Sequence, residues 1–264
     1  MADADTAGAA YFVTGASRGL GLGICTALAA RPPSEVSVVF AAVRTETDAL
    51  RRLVAGSAGR VQAVSVDVTS ESAVRDAAAR VGRALEGSSP SRGLDVVVNV
   101  AGVMDFVPQG GIENMKDLDS TFTTNVTSVH LVTAALLPLL RRGSLKKIIN
   151  LSTTLGSIGM AGTFAPSRAP AYKISKAALN MLTVQYALSL GDEGFTVVAI
   201  SPGWVKTDMG SSHADLDVET SVKATLDIVD RVGAPDTGNF FNIHVPGYEN
   251  APELNRYDGG QPPW

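Results

Sequence analysis

The chain has 264 residues, is 45% hydrophobic and 18% charged, and carries a net charge of −4. That is the balance of a globular protein with enough length for a large core. It lacks the basic excess expected of a nucleic-acid or anionic-membrane binder. The lone cysteine, Cys25, excludes an internal disulfide and a cysteine metal cluster.

The opening residues MADADTAGAA show neither the basic start nor the apolar core of a secretion signal, so a cytoplasmic protein is expected. Residues Ala10–Thr14 are a β-prone apolar run. The glycine-rich stretch TGASRGLG follows, and then LGICTALAA, which reads as a helix. Strand, glycine turn and helix is the setting of a dinucleotide phosphate loop. Gly15 permits a tight turn, Gly19 a close backbone approach to pyrophosphate, and Gly21 close helix–strand packing. The helix start offers free N–H groups to the phosphates. The pattern is G-x-x-x-G-x-G, which on its own also suits an ordinary tight turn.

Val36–Val43 is β-rich and Asp48–Leu53 helical. Val61–Val66 reads as a strand ending at Asp67, and Ser70–Leu85 as a helix opened by a hydroxyl cap. Ser88–Gly93 is a polar loop. The unbroken apolar run Leu94–Val100 fits a strand buried on both faces. A long helix is expected over Lys116–Leu140, and its apolar part, Leu131–Leu140, looks too short to span a bilayer. Lys146–Leu151, Phe195–Ile200 and Asn239–Ile243 are strands; Ala169–Leu190 and Val218–Val232 are helices. The tail Pro246–Trp264 looks irregular. This alternation predicts an α/β fold, a doubly wound parallel sheet of Rossmann type, as a single domain over residues 1–264.

Tyr172 and Lys176 lie one helical turn apart in AYKISKAALNML. A free phenol has a pKa of about 10. An ammonium at i+4 favours the phenolate and is expected to pull that pKa toward neutrality, making an acid/base pair. A buried Tyr beside a snorkelling Lys is the plain alternative.

TGASRGLG, the Asp67 of VDV, VNVAG (Asn99–Gly102), Asn125, INLST, YKISK and PGWVKTD occur in an order that resembles the short-chain dehydrogenase/reductase family. The resemblance covers essentially the whole chain. Within the family it is similar to the carbonyl-reductase branch that includes Sniffer, C-factor and the fungal norsolorinic acid ketoreductases. The resemblance implies a catalytic set of Asn125, Thr153, Tyr172 and Lys176. Tyr172 would be the acid/base and Lys176 would tune it and bind the nicotinamide ribose. Asn125 would help hold a water that links the lysine to solvent. Where many members have Asn-x-Ser-Ser, this chain has Asn150-Leu151-Ser152-Thr153, so Thr153 is favoured over Ser152 as the substrate-orienting hydroxyl.

The same resemblance implies cofactor contacts from Gly15, Ser17, Arg18, Gly19, Leu20 and Gly21. It adds Asp67 and Val68 at the adenine, and Asn99, Ala101 and Gly102 on the adenosine-ribose side. Pro202, Gly203, Val205 and Thr207 would hold the nicotinamide carboxamide. The second strand ends Ala42-Val43-Arg44 with no acid for a ribose hydroxyl, and Arg18 and Arg44 suit a 2′-phosphate, so NADPH is the expected cofactor. The expected activity is NADPH-dependent reduction of a ketone or aldehyde, reversibly, without a metal: His130, His213 and His244 are scattered and form no ligand set. The alternatives are a non-catalytic cofactor-sensing regulator and an NAD-dependent alcohol dehydrogenase. The expected partners are a small carbonyl substrate and further copies of the chain, as a homodimer or homotetramer built through the helices carrying Asn125 and Tyr172; no nucleic acid or membrane is expected. The long Thr154–Ala171 loop is expected to shape the pocket, and Gly210–Leu216 reads either as a mobile lid or as an ordinary exposed loop.

Overall fold

The computed structural model describes residues 8–87, 93–107 and 111–264. The first seven residues and most of the polar stretch expected over Ser88–Gly93 lie outside the described residues. The elements run β1 Ala9–Thr14, α1 Gly19–Ala30, β2 Val36–Val43, α2 Asp48–Gly56, β3 Val61–Ser65, α3 Glu71–Glu86 and β4 Val96–Asn99. They continue with α4 Leu118–Phe122, α5 Ser128–Arg141, β5 Lys147–Leu151, α6 Pro170–Leu190, β6 Thr196–Ser201, α7 Val218–Arg231 and β7 Phe240–Asn242. The strands form one seven-stranded sheet of order β3-β2-β1-β4-β5-β6-β7. The Rossmann-type class read from the sequence is correct.

The contacts divide into two compact units, Met1–Val100 with Leu131–Ile148, and Ala101–His130 with Ile149–Trp264. In the first unit β1 pairs in parallel with β2 on one side and β4 on the other. Chain order reverses at that point, which in open α/β sheets is where ligands bind. Phe12 faces Phe40 and Val97 in register, and all three are buried. Thr47 caps α2 through the Leu50 N–H, and Ser70 caps α3 through the Ala73 N–H, as its position before the helix requires. At the far end of α1 the Arg60 guanidinium donates to the carbonyls of Ala29 and Arg31 and to that of Val36.

Strand β4 is shorter than the apolar run suggested. The Leu94 N–H turns to the Leu139 carbonyl, and the Val100 N–H leaves the ladder for Thr14 Oγ1 at 2.9 Å. The buried Asp95 accepts from the Ala10 N–H and from the Ser144 N–H and hydroxyl, so its carboxylate pins the start of β1 to the turn before β5.

The helical run Leu118–Arg141 is continuous but not uniform: Thr123–Thr127 is a π-turn. At 24 residues this run is long and apolar enough to cross a bilayer by length and composition, contrary to the shorter apolar stretch expected from sequence. Within the protein, 44% of its apolar window is buried.

In the second unit β6 pairs in parallel with β7, and α7 is capped by Asp217, whose carboxylate takes the Thr220 N–H at 2.7 Å. The tail is not merely irregular. The Gly259 N–H bonds the Ile243 carbonyl, the Asn242 N–H bonds Gly260, and His244 bridges Asp258 in antiparallel fashion. The tail thereby folds back along β7. Its last residue, Trp264, stacks on Phe240 with ring centres 5.4 Å apart.

Candidate active site

In the first unit the glycine turn has the geometry a phosphate loop needs. Gly15 and Gly19 have φ of 66° and 52°, a region that side chains disfavour. A Cβ on Gly21 would lie 2.3 Å from the Gly15 carbonyl oxygen, so α1 can seat against the turn only with glycine there. Arg18 precedes α1 without a capping side chain, and no acid occupies the first turn. A helix start of this kind is able to receive an anion. Thr47 Oγ1 donates to the Ser17 carbonyl at 2.7 Å, and the Ala16 N–H bonds Ala42. These bonds tie the turn carrying Ser17, Arg18 and Leu20 to the end of β2, where Arg44 begins the exposed connection.

Asp67 Oδ1 accepts from both the N–H and the hydroxyl of Thr69. Those bonds, with a smaller contribution from Arg44, hold its carboxyl below the usual range, and it stays ionised at neutral pH. Val68 follows it, half-buried, and Asn99 donates to Thr133 Oγ1 at the end of β4.

The catalytic candidates Asn125, Thr153, Tyr172 and Lys176 all fall in the second unit. Asn125 sits in the π-turn, fully buried. Its amide donates to the Val103 carbonyl at 2.9 Å and to Ser175 Oγ at 3.0 Å, and its oxygen accepts the Val103 N–H at 2.8 Å. The side chain therefore clamps the segment after β4 to α6. A Cβ on Gly102 would lie 3.2 Å from Asn125 Oδ1 and 3.9 Å from Lys176 Nζ, so the backbone of Gly102 faces this cluster.

On α6, Tyr172, Lys176, Asn180 and Thr183 share one face, and the polar groups of β5 answer them. Lys176 Nζ donates to the Leu151 carbonyl at 2.7 Å, and its ammonium lies 5.6 Å from the Tyr172 ring centre. Ser152 gives its proton to Asn180 Oδ1, and Asn150 donates to Thr183 Oγ1 at 2.9 Å. Thr153 Oγ1 instead accepts the Leu155 N–H at 3.2 Å, which leaves its proton to give. The Tyr172 hydroxyl takes no hydrogen-bond partner among the described residues.

The expected fall in the phenol pKa is not seen. Burial pushes the Tyr172 phenol up, above the ordinary phenol range, and pushes the Lys176 ammonium down to about 8. A low-dielectric site penalises the ionised form of each group. At neutral pH Tyr172 is therefore a protonated phenol, the form that donates.

After β6, Gly203 has φ of 79°, and a Cβ there would lie 2.8 Å from Leu216. Pro202 offers its carbonyl to the Ser221 hydroxyl, and Thr207 Oγ1 accepts the Gly210 N–H. The segment expected as a lid is bonded to the chain before it at both of its ends. Val205 bridges Leu216, the Lys206 N–H bonds Leu216, the Leu216 N–H bonds Trp204, and Trp204 Nε1 donates to the Gly210 carbonyl at 2.6 Å.

Sequence reading gave no role to Gly156, Ser175 or Asn180. A Cβ on Gly156 would lie 2.7 Å from the Lys176 Cβ, so that glycine lets the loop after Thr153 lie against α6. Its place in a glycine-containing loop was the available signal. Among the described residues no group of three or more His, Cys, Asp or Glu side chains is arranged to hold a metal.

These features define an oxidoreductase on a Rossmann-type sheet. The family model for short chain dehydrogenases matches residues 9–216, and the chain belongs to that family. It is 36% identical to the C-signal protein of Myxococcus xanthus over 171 residues, 65% of this chain and 93% of that one. It is 35% identical to the short-chain dehydrogenase/reductase AacuF of Aspergillus aculeatus over 227 residues, 82% of each chain. Among solved structures it resembles the NADPH-bound carbonyl reductase from chicken fatty liver, with a TM-score of 0.83 and 30% identity over 98% of this chain and 95% of that one. It also resembles the carbonyl reductase Sniffer of D. melanogaster, with a TM-score of 0.80 and 29% identity over 98% and 100% of the two chains.

Proposed function

We propose that the protein is an NADPH-dependent carbonyl reductase acting on a ketone or aldehyde. The observation that carries this reading is Tyr172: a protonated phenol without a hydrogen-bond partner among the described residues, 5.6 Å from a lysine fixed by the Leu151 carbonyl.

The chain's groups suit the cofactor. The uncapped start of α1, with Gly15 and Gly19 turned into left-handed geometry, receives a pyrophosphate. Arg18 and Arg44, both exposed, receive a 2′-phosphate, and Asp67, Val68 and Asn99 the adenosine side. In the second unit Ala101 and Gly102 take the adenosine-ribose side, and Pro202, Gly203, Val205 and Thr207 the nicotinamide side. The carbonyl reductase from chicken fatty liver is NADPH-bound, which supports the choice of cofactor.

When bound, the nicotinamide supplies hydride to the carbonyl carbon. Thr153 donates a hydrogen bond to the carbonyl oxygen, and Tyr172 Oη gives that oxygen its proton. The phenolate left on Tyr172 is stabilised by the Lys176 ammonium, whose remaining protons serve the ribose. Asn125 holds the cluster through Val103 and Ser175, so any water it retains contacts a rigid frame.

NADPH oxidation measured against aldehydes, diketones and aromatic ketones, with NADH in parallel, tests the reading. Turnover with NADPH is expected, with Tyr172→Phe lowering it by about 10²–10⁴-fold while NADPH still binds. An active Tyr172→Phe enzyme would refute the role given to the phenol. Equal or better turnover with NADH would refute the role given to Arg18 and Arg44.

A further inference from the structure

The tail contributes one side chain to the turn after β6. Tyr257 is buried, and its ring lies against Gly203: a Cβ on that glycine would stand 3.0 Å from Tyr257 Cε1. Its hydroxyl accepts the Trp204 N–H at 3.1 Å and donates to Asp215 Oδ2 at 2.7 Å. Trp204 and Asp215 are the two ends of the loop that contains Val205 and Thr207. A single oxygen therefore joins both ends of that loop to the tail. Asp215 is held in turn by Asn255 Nδ2 at 3.1 Å, and Tyr257 by its own backbone bonds to Val245 and Tyr248.

We propose that Tyr257 is a positioning residue for the nicotinamide half of the cofactor. It touches neither substrate nor reacting atoms. Its ring fixes the left-handed Gly203, and its hydroxyl sets the spacing between Trp204 and Asp215, so the backbone of Val205–Thr207 is presented in one arrangement. The proposal rests on the cofactor reading above. Preorganising a loop in its bound shape removes an ordering cost that binding would otherwise meet.

The test compares NADPH with adenosine 2′,5′-bisphosphate, which has the adenosine and 2′-phosphate but no nicotinamide. Tyr257→Phe retains the ring packing and deletes only the oxygen. It is expected to raise the NADPH dissociation constant about tenfold and leave that of the bisphosphate unchanged. Asp215→Ala is expected to act in the same sense, and the double variant to lose less than the sum of the two singles, because both remove the Tyr257–Asp215 hydrogen bond. Wild-type protein that binds neither ligand would overturn the cofactor reading itself. Wild type that binds both, with Tyr257→Phe matching it for NADPH, would overturn only the positioning role. Equal losses for the two ligands would also overturn it, by showing general destabilisation. Should Tyr257→Phe fail to fold, Asp215→Ala carries the same comparison with the same outcomes.

Discussion

Two adjacent hydroxyls show how neighbours in sequence take different work. Ser152 and Thr153 are both buried, but Ser152 spends its proton on Asn180 whereas Thr153 accepts from Leu155 and retains its own. Thr153→Ala should therefore lower kcat/KM by about 10²-fold, and Thr153→Ser should restore most of it. Ser152→Ala should cost about 1–3 kcal/mol of stability by stripping Asn180 of a buried partner, with a smaller effect on turnover; steady-state kinetics beside denaturant unfolding separates the two. Lys176 makes a different prediction. Its folded pKa is about 8 against 10.5 when free. Below about 8 the folded and unfolded chains both carry the charge, and burying it opposes folding. Above that, and up to 10.5, the folded chain loses the proton first, the unfolded chain binds more protons, and stability rises with pH. The unfolding free energy of wild type minus that of Lys176→Met should therefore climb through this window by up to about 1.4 kcal/mol per pH unit. A flat difference would show that burial does not lower the pKa of this ammonium. The i+4 spacing announced the pair, but not the sign of its titration, because burial comes from β5 and the loop around Gly156, which are remote in sequence.

At the scale of elements, strands and helices were legible where local composition decides them. The apolar run of β2 and the Ser70 cap of α3 stand where expected. What escaped is set by distant partners. The π-turn at Thr123–Thr127 leaves no trace in a helical periodicity, yet it is where Asn125 reaches Val103 and Ser175. The ends of β4 are fixed by Leu139 and Thr14, which no local pattern indicates. The post-β6 loop looked like a lid because it is small and polar; its fastening depends on Trp204 and Leu216 meeting across it. Gly156 gives the element-scale test. A methyl there would lie 2.8 Å from the Lys176 backbone carbon, so Gly156→Ala must push the loop or α6 aside. We expect a loss of about 1–3 kcal/mol and a fall in kcat larger than any rise in KM for NADPH. Gly162→Ala, at a position with open space around it, should be silent by comparison.

For the whole molecule the outer face of α6 matters most. Ile174, Met181 and Leu188 recur every seven residues along it and are 41%, 59% and 75% exposed. An apolar stripe of that kind is suited to meeting a second copy, and we propose a homodimer through this face, one of the two assemblies, dimer or tetramer, that the family resemblance implied. Light scattering should give a dimer for wild type and a monomer for Met181→Asp; a wild-type monomer would exclude the pairing. The tail bears on the same question. By bonding along Ile243 and Asn242 it occupies the outer side of the terminal strand, where unpaired backbone groups would otherwise accept a foreign strand. With that side taken, strand addition cannot join one sheet to the next, and a tail detached by mild denaturant should reveal itself as fibrous aggregation before the sheet unfolds.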